Sequence, residues 1–551
     1  MRDPIPVNYS NEVGEEPMPT IVELLRMGRH DEVWQKYCGF LDMTLADFVA
    51  VQERLLLEQL DLVNRSPWGE LFFAGAKPAT VEEFRRTAPL TRYEHYAPYL
   101  EERREDLLPR KPITWGHTSG RSGKYKWAPF TQEMFDKAGQ RIMAAFILAM
   151  ARRRGEVRLE ERDVLVYNAP PRPYASGIAL VSVEQQFPFR FVPPADLTES
   201  LTFQERLELS FKMAMVTGID MVGSITSVLV KIGERFANGA GGTKLSRDLL
   251  HPQAMWRVGR ALVRSRLAGR PMLPKDLWPV KGVICGGTDT GLYKDIIAEY
   301  WGATPYEVYA ATEAGITSAV QAWNKEGLYF FPDVVFFEFI PEEEWARNRE
   351  DPAYAPSTVL LSEVQMGQRY ELVITSLDGG AFLRYRMGDM VRFITLQDQE
   401  AGIALPSMVC VGRSDDLIDL AGFTGLIDEP MIGRAIFDAG FPYEDWSARK
   451  EIGPQGGVLS IYLELKDEAA METVKAAIHE NLKALNPFYA DLETVLQVDP
   501  LRLTLLKPGA FRAYYLERQA AGADLAHLKP PRMGASDAII GDLLRLSGAS
   551  S

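Results

Sequence analysis

The sequence predicts an α/β protein whose large N-terminal part, which includes a β-barrel-like piece, precedes a small C-terminal α+β part. Three observations support this fold class. Before residue 356, short apolar runs with strand character alternate with long helical stretches, as in α/β proteins. Residues 356–410 are rich in strands, and residues 414–551 show the order strand, helix, strand, helix. We therefore expect the chain to divide into residues 1–412 and 413–551.

The first elements are predicted to be helices. Residues 19–65 place apolar side chains at i, i+3 and i+4, and Thr44 followed by Asp47 is typical of a helix start. A further helix is expected at about 132–153, after a glycine-rich loop. β-Branched and aromatic runs predict strands in the following places: within 162–170 and 280–289, in "YEVYAATEAG", "VVFFEFIP", "ELVITS", "MVRFITL" and "SMVCVG", and at 456–465 and about 492–498, with a helix between the last two at 467–486.

The composition is that of an ordinary folded protein. Of the 551 residues, 46% are hydrophobic and 25% are charged, which excludes a disordered chain, a fibre and a membrane-spanning bundle. The formal net charge of −14 gives no electrostatic reason to expect a nucleic acid or an anionic membrane as a partner. We expect no partner of either kind.

The cysteines and the N-terminus indicate the cellular compartment of the protein. Cys38, Cys285 and Cys410 are scattered, and they indicate neither a disulfide framework nor a zinc site. Because the N-terminus also lacks an apolar signal sequence, we expect a cytoplasmic protein. Cys285 is interpreted as a packed small apolar residue. The longest apolar runs, Met143–Met150 and Met221–Ile232, are too short or too polar to span a bilayer, and we predict buried helices for both.

One loop has the composition of a phosphate-binding segment. Residues 116–126 ("GHTSGRSGKYK") contain three glycines, three Ser or Thr hydroxyls and three cations. Glycines let backbone N–H groups approach an anion, and hydroxyls and cations bind phosphate oxygens. A predicted helix follows, and its N-terminus would favour an anion. The loop is not a Walker A motif, because Tyr125 stands where Ser or Thr is required. A flexible surface turn is the alternative interpretation.

Later segments supply candidate partners for a bound nucleotide. "YAATE" ends a predicted strand, and its Glu313 could hold a magnesium ion that bridges phosphates. Asp389 follows a glycine in "YRMGD", where it could accept hydrogen bonds from ribose hydroxyls. Arg413 begins a polar break that could be a hinge. Taken singly, Glu313 is better interpreted as an exposed residue at a strand end, and the alternatives are a Gly-Asp turn between strands for Asp389 and an ordinary loop for Arg413.

In order and spacing, these segments resemble the motifs of the adenylate-forming superfamily of acyl-CoA synthetases, adenylation domains and luciferases. Within it, the chain looks closer to the Gretchen Hagen (auxin-responsive promoter) family of acyl acid amido synthetases. The stretches that carry this similarity are "PLTRYEHYAPYLEERRE", "PITWGHTSGRSGKYKWAPFT", "WPVKGVICGGTDTGLYKDIIAEYWG", "YAATEAG" with "FFPDVVFFEFIP", and "LKPPR". The resemblance extends from about residue 85 to 533 and therefore covers most of the chain.

The resemblance implies a set of site residues and the cofactors ATP and Mg²⁺. Lys529, on the small domain, would reach the transferred phosphate. Thr312 would lie near the phosphate and the carboxylate, and Glu313 would bind Mg²⁺. The residues expected around the remaining phosphates are Thr118, Ser119, Gly120, Arg121, Ser122, Gly123, Lys124 and Lys126. Those expected on the nucleoside and hinge side are Tyr309 by the adenine, Asp389 on the ribose and Arg413 beside the hinge.

The chain also departs from the family pattern. His117 stands where Ser or Thr is usual, Arg121 where Thr is usual, and Ala311 where Ser is usual. Extra positive charge in the loop would either tighten phosphate binding or accompany a changed loop path. The plant members lack a hinge like "GRSDD", and this departure bears on the acceptor more than on the adenylation. By position, the candidate residues of the acyl pocket are Tyr174, Gly286, Gly287 and Thr288, although a rigid proline-rich loop is the alternative for the stretch around Tyr174.

The resemblance implies an AMP-forming ligase. Such an enzyme uses ATP to convert a carboxylic acid into an acyl-adenylate and pyrophosphate, and then transfers the acyl group to an amino acid amine to form an amide. A carboxylate–CoA ligase and a noncatalytic homologue that binds nucleotide or a carboxylic acid are the alternatives. Between the two steps, the small C-terminal domain is expected to rotate about the hinge as a lid. The sequence does not identify the acid.

Overall fold

The computed structural model describes residues 19–119, 125–167, 171–198, 200–201, 203–238, 251–286, 290–418, 420, 427–453, 456–486, 489–490, 500–520 and 529–548. The helices are α1 (Ile21–Arg26), α2 (His30–Cys38), α3 (Leu45–Asn64), α4 (Pro67–Phe73), α5 (Val81–Thr87), α6 (Tyr93–Leu100), α7 (Gln132–Met150), α8 (Ala175–Gln186), α9 (Ala195–Thr198), α10 (Phe203–Thr217), α11 (Thr226–Ala237), α12 (Pro252–Leu267), α13 (Pro274–Leu277), α14 (Thr290–Trp301), α15 (Glu342–Glu350), α16 (Glu429–Asp438), α17 (Met471–Leu485), α18 (Ala510–Ala520) and α19 (Asp537–Ser547). The strands are β1 (Thr114–Ser119), β2 (Tyr125–Phe130), β3 (Val164–Tyr167), β4 (Arg190–Val192), β5 (Met221–Ile225), β6 (Gly282–Gly286), β7 (Pro305–Ala311), β8 (Ile316–Val320), β9 (Tyr329–Phe330), β10 (Val335–Pro341), β11 (Arg369–Ser376), β12 (Tyr385–Thr395), β13 (Ser407–Arg413), β14 (Tyr443–Gly453), β15 (Gly456–Leu465) and β16 (Leu501–Leu506).

The largest sheet has the strand order β4-β3-β5-β6-β7-β8-β9. Its first five strands in this order are parallel, and β8 and β9 continue it in antiparallel pairing. Val164 and Val166 of β3 pack into one apolar cluster, whereas Leu165 packs into another on the opposite face. Strands that are covered on both faces become continuous apolar runs, which is why the sequence predicts them well. The predicted α/β architecture is confirmed.

Helices α7 and α8 contribute to the same apolar cluster as Leu165. The Thr131 hydroxyl caps α7 by accepting from the Met134 amide at 3.3 Å. Every residue of Met143–Met150 is buried, so the prediction of a buried helix for this run is confirmed. The same prediction for Met221–Ile232 is wrong. Its first half is strand β5 and only its second half is helical, because parallel pairing with β3 and β6 outweighs the helical periodicity.

The N-terminal helices follow the sequence prediction. In α3, the Thr44 hydroxyl accepts from the Asp47 amide at 3.1 Å, and the Asp47 carboxylate accepts from the Thr44 amide at 3.3 Å. This reciprocal pair is the capping box expected from the two residues. In the described part of the chain, no helix combines the length and apolarity needed to cross a bilayer.

The second sheet is antiparallel and contains β10, β11, β12 and β13 in sequence order. Its strands confirm the strand-rich prediction for residues 356–410. Two fully buried carboxylates lie inside it. Glu338 pairs with Arg384 at 2.9 Å, and Glu371 pairs with Arg386. Arg386 is on β12 and Arg384 immediately precedes it, and removal of one partner would leave a buried charge without its main compensation. The two pairs therefore fix the position of β12.

The C-terminal part has its own sheet, in which β14 and β15 are antiparallel and β15 and β16 are parallel. The predicted strand at 456–465 and the helix after it are confirmed. Strand β14 was missed because its sequence, "YEDWSARKEIG", is too polar to read as a strand. The strand predicted at about 492–498 lies outside the described residues, and β16 begins at Leu501. The buried apolar clusters change between Leu417 and Ile418, so each side has a core of its own.

Candidate active site

A cleft of about 960 Å³ lies at the carboxyl end of the parallel strands. Hairpin β1–β2, the ends of β3 and β7, and strands β12 and β13 all contribute to its wall. Ligands of open α/β sheets bind at this edge, because the loops that follow the strands meet there. The cleft brings together these residues predicted from the sequence: Thr118, Lys126, Tyr309, Thr312, Glu313, Asp389 and Arg413.

The predicted phosphate loop is the connection of the β1–β2 hairpin. Thr118 pairs with Lys126 across the hairpin, and both residues line the cleft. Ser119 ends β1, and the remaining loop residues lie outside the described part of the chain: Gly120, Arg121, Ser122, Gly123 and Lys124. The prediction of a helix N-terminus next to the loop is wrong, because β2 separates the loop from α7. The six residues of β2 span roughly 20 Å, and the effect of a helix terminus does not extend that far.

His117 lies in an aromatic cluster rather than in the cleft. Its ring centroid is 4.1 Å from that of Tyr125, 5.0 Å from Trp127 and 4.4 Å from Tyr174. Its backbone N–H donates to the carbonyl of Pro173 at 3.0 Å. His117 is only 5% exposed, and it joins the hairpin to the start of α8. Tyr174, predicted for the acyl pocket, belongs to this cluster and does not line the cleft.

The best-defined polar geometry in the cleft centres on Asp389. The Tyr309 hydroxyl donates to its Oδ2 at 2.6 Å, and Arg413 Nη1 donates to its Oδ1 at 2.6 Å. Burial, followed by the charge of Asp389, raises the pKa of the Tyr309 phenol well above its usual value, so the phenol remains a donor. A carboxylate held at both oxygens has a set orientation, and each oxygen keeps a lone pair for a further hydrogen bond.

A bulge in β12 determines where Asp389 lies. The alternative interpretation of the Gly-Asp pair as a turn between strands is wrong, because Asp389 lies within β12 opposite Arg413. Gly388 has φ of +69°, and a β-carbon there would lie 3.0 Å from Arg413 Nη2. The register with β11 shifts nearby, between Glu371 and Val373. The glycine thus permits a bulge that keeps the strand continuous while bringing Asp389 and Arg413 together.

Glu313 follows the end of β7 and is 8% exposed. The Tyr385 hydroxyl donates to its Oε1 at 3.3 Å. Burial raises the pKa of the Glu313 carboxyl, while its own backbone amide and the charge of Lys126 oppose the rise in part. A carboxylate buried in this way is costly to ionise unless a cation joins it.

Sequence reasoning missed Tyr385, although it is the first residue of the "YRMGD" motif. The segment before α6 holds this tyrosine in place. Thr91 donates its backbone N–H to the Arg384 carbonyl and accepts from the Arg386 N–H, both at 2.9 Å. The "PLTRYEHY" stretch, which the sequence offers only as part of a resemblance, therefore positions the strand that carries Asp389.

Lys529 does not line the cleft. Its Nζ lies 3.5 Å from Asp445 Oδ2 in the C-terminal part, and its side chain is 52% exposed. Arg532 shares the same carboxylate, with Nε 3.2 Å from Oδ1, and lies over the ring of Trp446. The predicted catalytic lysine is therefore held apart from the groups around Asp389.

The apolar wall of the cleft differs from the predicted acyl pocket. Gly286 ends β6, one of the strands along the cleft, whereas Gly287 and Thr288 lie outside the described residues. The wall is formed instead by residues of α7, α8, β3 and β4: Ile142, Ala145, Phe146, Leu165, Ala175, Ala179, Leu180, Val183 and Phe191. Their spacing on the helices is visible in the sequence, but the same spacing describes any buried helix, so it could not single them out.

Curated proteins with similar sequences were found at low identity. A jasmonoyl–L-amino acid synthetase of Nicotiana attenuata, JAR4, is 22% identical, with 94% of this chain and 95% of that protein covered. A human GH3 domain-containing protein is 29% identical, with 41% of this chain and 42% of that protein covered. The chain thus matches less than half the length of the human relative.

The fold is shared with a solved structure described as the AtGH3.15 acyl acid amido synthetase in complex with 2,4-DB. The TM-score is 0.65 at 18% identity, with 92% of this chain and 95% of that chain covered. Family models described as the GH3 N-terminal, central and C-terminal domains match residues 38–199, 328–405 and 442–537. Because these three models together match more than half of the chain, and because the motifs occur in the order the resemblance requires, the chain belongs to the GH3 family.

Proposed function

We propose that the protein is an AMP-forming ligase that activates a carboxylic acid with ATP and transfers the acyl group to the amine of an amino acid. One observation carries the proposal. Asp389, held by Tyr309 and Arg413, lies in the same cleft as Thr312 and Glu313. The family membership supports it, because a relative aligned along 94% of this chain is named as a jasmonoyl–L-amino acid synthetase.

The first step needs positioning rather than a protein nucleophile. Asp389 accepts hydrogen bonds from the ribose hydroxyls, and Tyr309 lies beside the adenine. Thr118 and Thr312 donate to the α-phosphate and the carboxylate, so that a carboxylate oxygen lies in line with the α-phosphorus. The oxygen–phosphorus bond forms as the bond to pyrophosphate breaks, which gives an acyl-adenylate and pyrophosphate. Carboxylates do not react with amines at neutral pH, and the adenylate supplies AMP as a better leaving group.

Local positive charge is needed for this step, because the chain as a whole is acidic. The formal net charge of −14 repels a polyphosphate, so attraction has to come from the hairpin. Lys126 lies in the cleft wall. The residues assigned to the β- and γ-phosphates beside it are Ser119, Gly120, Arg121, Ser122, Gly123 and Lys124.

Glu313 would hold Mg²⁺ in this proposal. Mg²⁺ prefers one or two carboxylates together with phosphate oxygens, and a divalent cation would offset the cost of the buried Glu313 charge. Within the described ranges, no group of three or more His, Cys, Asp or Glu residues could hold a metal by itself. Nucleotide oxygens would therefore complete the shell, and the ion would neutralise phosphate charge.

Replacement of Glu313 tests the metal assignment. Glu313→Gln is expected to raise the Mg²⁺ concentration for half-maximal pyrophosphate release by about 10–100-fold. Glu343→Gln, on the exposed side of α15, is the matched control. An unchanged Mg²⁺ requirement in Glu313→Gln would remove Glu313 from the metal site.

The chain works as two units, residues 1–412 and 413–551, and their relative movement delivers Lys529. Each unit has its own buried apolar core. Contacts between them include polar pairs, such as the Tyr293 and Tyr443 hydroxyls at 2.8 Å and Lys466 with Glu234 at 3.3 Å. Polar contacts of this kind exchange readily with water, which suits domain movement.

The second step follows after Lys529 leaves the cleft. The amino acid nitrogen attacks the acyl carbon, AMP leaves, and a proton is released from the nitrogen as the amide forms. The reaction takes place in the cytoplasm in this proposal. The three cysteines are free thiols, which fits a reducing compartment.

Two measurements test the proposed function. Pyrophosphate release should depend on a carboxylic acid when a broad panel of acids is supplied, and Asp389→Ala should abolish most of it. If no acid in the panel supports release, adenylation is wrong. Amino acids and coenzyme A are then offered separately, and the product is identified by mass. An amide supports the proposal, whereas a thioester without an amide would assign the chain to the carboxylate–CoA ligases.

A further inference from the structure

The apolar part of the cleft identifies the class of acid. We propose that it takes an unbranched aliphatic tail of about ten carbons, so that the substrate is a medium-chain fatty acid. This inference rests on the proposed function, because it assumes that the carboxylate end of the acid lies near Thr118 and Thr312. It goes further by excluding acids with polar groups in their tails.

Helix α8 sets the length of this space. Ala175, Ala179, Leu180 and Val183 all line the cleft, at i, i+4, i+5 and i+8. One face of the helix therefore follows the cleft from Ala175 to Val183, which is about 12 Å at 1.5 Å per residue. An extended chain gains roughly 1.2 Å per bond, since a peptide residue of three bonds spans at most about 3.6 Å. The face thus corresponds to a tail of about ten carbons.

The direction of α8 places the polar end at the nucleotide. The helix follows β3 and starts at the carboxyl edge of the sheet, and Ala175 is therefore near Tyr167 and the predicted nucleotide site. Val183 is two turns further from that edge. The tail consequently extends away from the nucleotide, between α8 and the strands, with Leu165 and Phe191 below it.

The chemistry of the wall excludes a polar tail. Beyond Tyr167 and Ser176, the lining side chains of α7, α8, β3 and β4 are hydrocarbon: Ile142, Ala145, Phe146, Leu165, Ala179, Leu180, Val183 and Phe191. The Tyr167 hydroxyl already donates to the Ser176 carbonyl at 3.3 Å. Along these four elements, the described lining offers an indole N–H or a ring ketone no side-chain partner beyond Tyr167 and Ser176, and the other polar lining groups nearby, such as Glu307 and Thr317, are on β7 and β8. Burying an unpaired polar group is unfavourable. A hydrocarbon tail meets no such penalty.

Small side chains keep the space open, and aromatic rings close it. Ala145 and Ala179 line it where larger residues would fill it. At the far end, Phe146 and Phe191 are backed by Phe189, whose ring centroid lies 5.3 Å from that of Phe146 and 5.9 Å from that of Phe191. The tail therefore has a defined maximum length.

A chain-length series tests the inference directly. Pyrophosphate release is measured with saturated unbranched acids from butanoic to hexadecanoic acid, and with indole-3-acetic, jasmonic and benzoic acids. We expect kcat/KM to rise roughly fourfold per methylene, as expected for burial of about 0.8 kcal/mol each. The rise should stop near decanoic acid and reverse for longer acids. A preference for an indole, ring-ketone or aryl acid over decanoic acid would overturn the inference.

Two variants move the optimum in opposite directions. Ala179→Phe blocks the space about 6 Å from Ala175, so the optimum should fall to acids of about five carbons. Val183→Ala enlarges the far end, so the optimum should lengthen by about two carbons. Val181→Ala is the control, because this residue is on α8 but does not line the cleft. An optimum that stays in place in Val183→Ala would contradict the assignment even if Ala179→Phe fails to fold.

A binding measurement separates this inference from the proposed function. Calorimetry with decanoate and the full chain should show binding that Ala179→Phe weakens at least tenfold and Val181→Ala does not. If decanoate binds in this way but no acid releases pyrophosphate, the proposed function is wrong and the tail site stands. If indole-3-acetic or jasmonic acid releases pyrophosphate and decanoate neither binds nor reacts, the function stands and the tail site is wrong.

Discussion

Asp389 and Lys529 are assigned to one reaction, yet the structure holds them in different ways. Asp389 is fixed in the cleft by two hydrogen bonds of 2.6 Å from strands β7 and β13. Lys529 is half exposed and lies 3.5 Å from Asp445 in the C-terminal part. The nucleoside site is thus built into the sheets, whereas the lysine has to be delivered to it by movement. Four predictions test this contrast.

The largest effect is expected from Lys529→Ala. If the lysine acts only when it is delivered, its loss should slow acid-dependent pyrophosphate release by about 10²–10³-fold. ATP affinity, measured by calorimetry, should be largely unchanged, and so should amide formation from a synthetic acyl-adenylate. Lys450→Ala removes an exposed lysine from strand β14 and is the control. Full activity in Lys529→Ala would mean that this lysine has no part in the first step.

Asp389→Ala should show the opposite pattern. A hydrogen bond to a charged group contributes about 1.5–3 kcal/mol, so ATP affinity should fall roughly 10–100-fold. Asp389→Asn keeps one acceptor oxygen and should be affected less. Calorimetric titration with ATP measures both variants. An unchanged affinity in Asp389→Ala would show that the ribose is bound elsewhere and would remove the contrast with Lys529.

Asp445→Asn should weaken the hold on Lys529. A half-exposed ion pair contributes about 0.2–1 kcal/mol, so its loss should speed adenylation by up to about fivefold. The increase in rate should vanish in the double variant that combines Asp445→Asn with Lys529→Ala. The rate of pyrophosphate release at saturating ATP measures the single and the double variant. An equal gain in the presence and absence of Lys529 would show that Asp445 acts through Arg532 instead.

Glu451→Gln addresses the stability of the C-terminal unit alone. Burial by itself would raise the pKa of this carboxyl, but hydrogen bonds from Arg449, Ser460 and Tyr462 lower it to about 2. Its stabilising effect is therefore complete above its usual value of 4.5 and is lost as the pH falls from there towards 2.

The variant should lower the free energy of unfolding at neutral pH by about 1–3 kcal/mol. The difference in the free energy of unfolding between the variant and the unaltered chain should shrink at pH values below the usual pKa of the carboxyl. Urea unfolding at a series of pH values, followed by hydrogen exchange of the backbone amides of β14 and β15, measures this in the C-terminal unit. ATP affinity at the Asp389 site should not change, and a loss of ATP affinity would show that the two units are coupled more tightly than the contrast between them implies.

Much of the fold was predictable because its strands have a simple signal. The parallel strands are covered on both faces, so "VLVY" and "GVICG" are apolar without interruption. Strand β14 escaped prediction because its charged residues, among them Arg449 and Glu451, pair with each other and with distant side chains. A pattern of single residues does not show such pairs.

The candidate site also has features that the sequence predicts and features that depend on distant contacts. The residue types available for phosphate, ribose and metal follow from the sequence alone, because motifs such as "YAATE" and "YRMGD" place them at short, fixed spacing. The contact between Asp389 and Tyr309, which are 80 positions apart in the chain, arises from the folding of the chain. The same folding buries His117 among aromatic rings, brings α7 and α8 to the apolar wall, and pairs Lys529 with Asp445. These outcomes depend on contacts between segments that are distant in sequence. Local sequence patterns carry no information about the energies of such contacts.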